Sequence, residues 1–201
     1  ALADRDLLRG RRRPVDLRLR LDALLGTRRD DTDPQALRLA RDAARRWERR
    51  LGASDAAAAD LDLTGLLTSV AFPDRIARRR DDGGSFLLAS GAGVAIDPDD
   101  GIARHPWLAV AETEGVGADA RILTAAPLQL DDLEAVHGDR IVERNEGGWD
   151  RRARDVAFER QRRLGSLILQ RRPETAADEA AVAAALVAGL RREGLGLLRW
   201  D

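Results

Sequence analysis

The stretch Ala71–Ile96, AFPDRIARRRDDGGSFLLASGAGVAI, is where the chain changes character. Before it, apolar residues recur at three- and four-residue steps. After it they come in short runs separated by Gly and Asp. Pro73 has no amide hydrogen and a fixed φ, so it ends the helical run and biases Phe72 towards extended backbone. Phe86-Leu87-Leu88 and Val94-Ala95-Ile96 then flank a Gly-Ala-Gly bend as two strands do. The change of period predicts a boundary at Pro73, with helices before it and mostly β structure after it.

Upstream, Leu2, Leu7, Leu8 and then Leu17, Leu21, Leu24 and Leu25 keep a helical step around an Arg-rich break at Gly10 to Pro14, which predicts two short helices. Asp33-Pro34 is a helix start, with Asp as the cap and Pro at the first helical position. That helix is expected to reach about Leu51. Leu37, Ala40, Ala44, Trp47 and Leu51 form its apolar stripe, with Trp47 expected as a core anchor and Arg38, Arg41, Arg45 and Arg49 on other faces. Gly52 stops it, Ser54 or Asp55 caps a short Ala-rich helix, and Leu63, Leu66, Leu67 and Val70 continue a helical face. Residues 1–72 therefore read as a helical bundle.

Downstream, FLLAS, GVAI, WLAVAET, ARILTAAPL and RIVER, the last at Arg140–Arg144, are bounded by Gly, Pro or Asp turns and suit a small antiparallel OB-like barrel of five strands. A short helix is expected at Leu130 to Val136. Residues 150–164 are divided, since Arg, Ala, Glu and Gln favour helix while Val156 and Phe158 alternate as in a strand. Leu167-Ile168-Leu169 closes the β region, and an Ala- and Leu-rich helix runs from Asp178 to Arg192, stopped by Gly194. The fold class is α+β: a partial helical bundle (1–72), an OB-like β domain (73–172) and the start of a C-terminal region (173–201).

Composition limits the chemistry. Every basic residue is Arg, Cys and Met are absent, and the formal net charge is −1 over 201 residues. Without Lys there is no GxxxxGK[ST] loop to hold phosphates. Without Cys there are no disulfides or thiolate metal sites, which suits a reducing compartment, so the cytoplasm is the expected location. No apolar run approaches the roughly 18 residues that cross a bilayer, so no membrane partner is expected. A chain that begins at Ala1 and lacks Met is expected to have its native start elsewhere. Gly91-Ala92-Gly93 begins a dinucleotide fingerprint but has Ile96 at the third Gly position, so it reads as a bend. His105 and His137 lack companions for a zinc site, no Ser lies in GxSxG, and Asp99-Asp100 reads as a solvated turn.

What remains is binding. Residues 151–172 carry eight Arg against Asp155 and Glu159. Arg78, Arg79 and Arg80, with Arg151, Arg152, Arg154, Arg160, Arg162 and Arg163, fall in the β region beside Trp149 and Phe158. An Arg-bearing barrel with aromatics is how OB-folds hold single strands, and these residues with Trp149 are the expected nucleic-acid contacts. The opposing reading is that the Arg residues are solvated or paired with neighbouring Asp and Glu.

AFPDRIARRR, the Gly-Gly, FLLASGAGVAI, WLAVAE and ARILTAAPL together resemble the region after the helicase core in bacterial HrpB-type DEAH-box ATP-dependent helicases. The resemblance is strongest from Ala71 to Pro127 and from Trp149 to Pro173, and it favours strand for 151–164. It implies that residues 1–72 are the end of the ratchet-like helical bundle, followed by the OB-like domain and the opening of the C-terminal region. It also implies that ATP and Mg belong to motor domains of the same parent chain that are absent here, so this fragment carries no cofactor and no activity of its own. The implied partner is single-stranded RNA or DNA, clamped against those motor domains. A protein-interaction role for the barrel, without nucleic acid, is the alternative.

Overall fold

A computed structural model describes residues 6–10, 12–26, 31–52, 60–115, 117, 120–150, 155–174 and 179–194. It divides into two compact units, residues 1–136 and 137–201. The helix-to-strand change does fall at Pro73, but helices and barrel belong to one unit, and the division by compactness comes after Val136.

In the first unit, α1 (Leu17–Leu25) is capped by Asp16, whose carboxylate accepts from the Arg18 amide, and α2 (Pro34–Leu51) by Asp33, which accepts from the amides of Gln35 and Ala36. Both helices end on a left-handed Gly, Gly26 and Gly52. α3 (Thr64–Ala71) stops at Phe72, and Pro73 opens a single 3₁₀ turn into the barrel. Over the described residues 6–10, where the first of the two expected helices would lie, no helix is formed. Leu7 and Leu8 are buried, but Leu8 bridges Thr32 and the Asp33 amide donates to the Leu7 carbonyl, so this stretch is extended. It is held there by Arg20, only 3% exposed, which meets the Asp6 carboxylate at 2.7 and 3.0 Å and donates to the Pro14 carbonyl at 2.8 Å. The Ala-rich helix expected after Gly52 lies outside the described residues.

The barrel has five strands: β1 (Ile76–Arg79), β2 (Ser85–Leu88), β3 (Gly93–Ala95), β4 (Trp107–Glu114) and β5 (Arg121–Pro127). They close in the order β1-β2-β3-β5-β4, with β1 pairing β4. Every pairing is antiparallel except β3 with β5, which is parallel. The expected antiparallel barrel is thus mixed, because the chain crosses from β3 to β4 and β5, antiparallel to β4, then fills the gap parallel to β3. Its interior is aliphatic apart from one ring: Ala77, Phe86, Leu88, Val94, Leu108, Val110, Ile122 and Ala125. The first strand hides in sequence behind Arg78-Arg79-Arg80, since only Ile76 and Ala77 in it are buried. α3 lies against β4 and β5 so closely that a Cβ on Gly65 would overlap the Pro127 carbonyl oxygen. α4 (Leu130–His137) follows, with Leu133 buried.

In the second unit, β6 (Ile141–Asp150), β7 (Asp155–Leu164) and β8 (Leu167–Glu174) form an antiparallel sheet in the order β6-β7-β8. RIVER, expected in the barrel, opens this separate sheet. The divided stretch before Leu164 is strand over Asp155–Leu164. α5 (Glu179–Glu193) ends at Gly194, as the sequence predicted, and packs on β6 with Ala185 and Gly189 inward. The expectation of an α+β chain is met.

Candidate nucleic-acid interface

A surface that binds nucleic acid needs cations whose charge is not already spent on carboxylates, and aromatic faces open to bases. Each expected contact is judged by what its side chain touches.

Arg78 and Arg80 are exposed on the barrel, and Arg79 is half-buried. The Arg78 guanidinium lies 5.5 Å from the centroid of the buried Trp107 ring, directly across the β1–β4 pair. Arg79 reaches Asp82 at 3.4 Å. The triplet was legible as a cluster, but alternation along a strand sends its members to different faces.

The sheet arginines are laced with acid. On one face Arg160 meets Glu174 at 2.5 Å and Glu143 at 3.8 Å, and the Glu174 hydrogen bond raises the Arg160 pKa further above its ordinary value. Arg162 stands across from Glu143 and Gln170 on the same face. On the other face Arg163 donates to Gln161 at 3.0 Å and approaches Glu146 at 3.9 Å. Gln161 in turn donates to Glu159, which Arg171 approaches at 3.8 Å. Arg160 and Arg163 therefore sit on opposite faces, and each has carboxylates within reach. Arg151, Arg152 and Arg154 lie outside the described residues.

Trp149 is half-buried against α5. A Cβ on Gly189 would come within 2.7 Å of its ring, so only glycine lets the helix approach this closely, and the Arg192 guanidinium donates to the Trp149 carbonyl at 3.4 Å. The indole N–H is buried with no hydrogen-bond partner among the described residues.

Sequence reasoning missed a different group. The apolar stripe on α2 is supported only in its first half, where Ala36 and Ala40 are buried in a cluster with Leu7. From Arg45 to Leu51 every residue is exposed, and Trp47, expected in the core, is 54% exposed. The stripe was read correctly, but nothing in the described residues covers its last two turns. The Arg50 guanidinium lies 5.4 Å from the Trp47 centroid, and Arg46 and Arg49 flank them. The signal available in sequence was the change from Ala36, Ala40 and Ala44 to Trp47 and Leu51 among crowded arginines.

α3 is inverted. Its buried face is Thr64, Gly65, Thr68 and Ser69, while Leu63, Leu67, Val70 and Phe72 are exposed. Among the described residues, no group of His, Asp or Glu side chains is placed to hold a metal ion, and no helix is long and apolar enough to cross a membrane.

The comparisons with known proteins converge. The ATP-dependent RNA helicase HrpB of Escherichia coli (strain K12) is 33% identical over 144 residues, 71% of this chain and 18% of that protein. The crystal structure of the E. coli DExH-box NTPase HrpB matches 96% of this chain and 22% of that one, at 28% identity and TM-score 0.65. A crystal structure of the E. coli DEAH/RHA helicase HrpB shares the fold over the same portions, at 24% identity and TM-score 0.64. No family model matches the chain. The helices, mixed barrel and separate sheet are those of the C-terminal region of a DEAH-type helicase. Over the part it spans, the chain belongs to the HrpB-type helicases, and it covers between 18% and 22% of the length of those relatives.

Proposed function

We propose that this chain is an accessory nucleic-acid-binding module of an ATP-dependent DEAH-box RNA helicase, helping to clamp single-stranded RNA or DNA for motor domains of the same parent chain in the cytoplasm. The observation that carries the reading is the 33% identity to a protein named as an ATP-dependent RNA helicase. The contribution made here is holding the strand: a chain without Lys lacks the P-loop that phosphoryl transfer uses, so ATP and Mg are assigned to the motor domains. We read the barrel as OB-like, a fold whose sheet face and loops take oligonucleotides. The functional division remains 1–72 as the end of a ratchet-like bundle, 73–172 as the OB-like region and 173–201 as the start of the C-terminal region.

The proposed contacts are Arg78, Arg79 and Arg80 on the barrel and Arg160, Arg162, Arg163 and Trp149 on the sheet, with Arg151, Arg152 and Arg154 added from the sequence. Most of the sheet arginines must exchange a carboxylate for a phosphate, which lowers the gain from each. Anisotropy titrations of a labelled oligouridylate at two salt concentrations test the reading. Affinity should fall steeply with salt, and R160Q/R162Q/R163Q should flatten the logarithmic slope by up to about 2, at about 0.7 per lost contact to a single strand. Absent or salt-independent binding overturns it.

The exposed apolar face of α3 favours a second reading, a protein-interaction module whose partner is the motor domains or another protein. Burial of Leu67 and Val70 in such a complex should make its affinity insensitive to salt.

A further inference from the structure

We propose that the last two turns of α2, from Arg45 to Leu51, are a second contact for single-stranded nucleic acid, with Arg46, Arg49 and Arg50 on phosphates and a base stacked on Trp47. The proposal rests on the nucleic-acid reading above but places a contact on residues outside the β region.

Three observations converge on this segment. First, every residue from Arg45 to Leu51 is exposed, and nothing among the described residues packs over the segment. Second, it carries Arg45, Arg46, Arg49 and Arg50 against Glu48 alone. Asp42 engages Arg45 at 2.6 Å and also attracts Arg46 one turn along, while among the described residues Arg49 and Arg50 have no carboxylate within ion-pair distance. This is the reverse of the sheet, where the arginines stand among glutamates. Third, Trp47 is more than half exposed and already carries a planar cation, Arg50, over its ring. An indole that stacks a guanidinium presents the same π-face that stacks a base, and the stacked cation stands ready for the adjoining phosphate.

Favourable interaction with the helix dipole gives Arg49 and Arg50 a purely local role at the C-terminal turn. It gives no account of a Trp that is 54% exposed beside them. An acidic strand with bases answers the charge and the ring together, whereas an apolar protein partner answers only Trp47 and Leu51.

The helix spacing supports the geometry. At 100° per residue, Arg49, Arg46, Arg50 and Trp47 fall in that order around roughly 160° of one side. Arg46 and Arg50 are one turn apart, about 6 Å along the axis, close to the spacing of successive phosphates in an extended strand.

The test uses the full chain and a labelled oligouridylate at two salt concentrations, with thermal melts of each variant. R46Q/R49Q/R50Q should melt like the unmodified chain, lower affinity more than R160Q/R162Q/R163Q does, and flatten the salt slope by about 2. Trp47→Ala should lower affinity about 5- to 150-fold with little change in slope, and Trp47→Phe should recover part of it. If the unmodified chain binds but both α2 variants keep its affinity and slope, the inference fails while the reading above stands, and an apolar protein partner becomes the occupant of Trp47 and Leu51. If the unmodified chain does not bind at all, both fail.

Discussion

The exposed end of α2 and the β6–β8 sheet are both rich in arginine, yet they present very different surfaces. In the sheet, cross-strand neighbours at short spacing put Glu143, Glu146, Glu159 and Glu174 among Arg160, Arg162, Arg163 and Arg171. On α2 the helix carries Arg46, Arg49 and Arg50 beyond its support, with Glu48 as the only acid among the last seven residues. Counting charge along a chain measures supply. What a strand meets is the charge left after the protein's own carboxylates have been satisfied.

The sharpest way to separate the regions is through their tryptophans. Trp149→Ala should destabilise the sheet unit by about 3 kcal/mol, because the ring fills the space that Gly189 leaves under α5. Trp47→Ala should leave the melting temperature nearly unchanged, within about 0.5 kcal/mol, since its ring packs on little but Arg50. Paired thermal melts decide this, and equal losses would erase the distinction between a packed ring and an available one.

A second experiment converts one region into the other. Removing the acids around Arg160 with E143Q/E174Q should raise affinity for the labelled oligouridylate several-fold and steepen the salt slope by about 0.7 per cation released. The same substitution in a chain already carrying R160Q should do much less. An unchanged affinity in the first variant would mean that the glutamates do not limit the sheet.

Much of this organisation was readable in advance, and the failures have one cause. The Asp33-Pro34 start, the Gly52 and Gly194 stops and the turn into β structure at Pro73 are decided by residues a few positions apart, and all are seen. Trp47 misled because a stripe states which side of a helix seeks cover but not whether cover is supplied along its whole length. RIVER was recognised as a strand and assigned to the wrong sheet, because pairing partners are nonlocal while strand propensity is local. β1 was missed because three arginines mask a strand whose buried residues are only Ile76 and Ala77. For the candidate site, the sequence displayed the arginines but not which glutamates face them across a ladder. It singled out Trp149, which is half-buried against α5, and read the exposed Trp47 as core.

The smallest effect expected concerns pH. In the range considered, pH acts through the fold. Burial lowers the pKa of His137, with Arg140 lowering it further and Asp139 opposing, and burial with Arg18 lowers that of His105, opposed by Asp16. Both histidines are thus harder to protonate folded than unfolded. Their contribution to stability is fully present above the ordinary histidine value of 6.5 and is lost as pH falls below it, because the unfolded chain then takes up protons that the folded chain resists. Melting temperatures should therefore be level from neutral pH upwards and decline modestly below about pH 6.5, with His137→Gln flattening the decline. A slope of binding against pH in that range that survives in the variant would point to a titrating contact.

The mixed pairing of the barrel also sets an order of events during synthesis. β1 joins β2 and later β4, and β2 joins β3, so a nascent chain that has reached Glu114 holds an open four-stranded sheet in the order β4-β1-β2-β3. Only β5 fills the gap between β3 and β4, and its Ala125 amide also donates to the Val15 carbonyl more than a hundred residues upstream. Until Pro127 has left the ribosome, two strand edges and the aliphatic interior around Phe86 and Leu108 stay open to water and to other chains. A ribosome paused between Glu114 and Pro127 would therefore hold this protein at its most aggregation-prone, and a chaperone that binds extended apolar strands would have its longest opportunity in that interval.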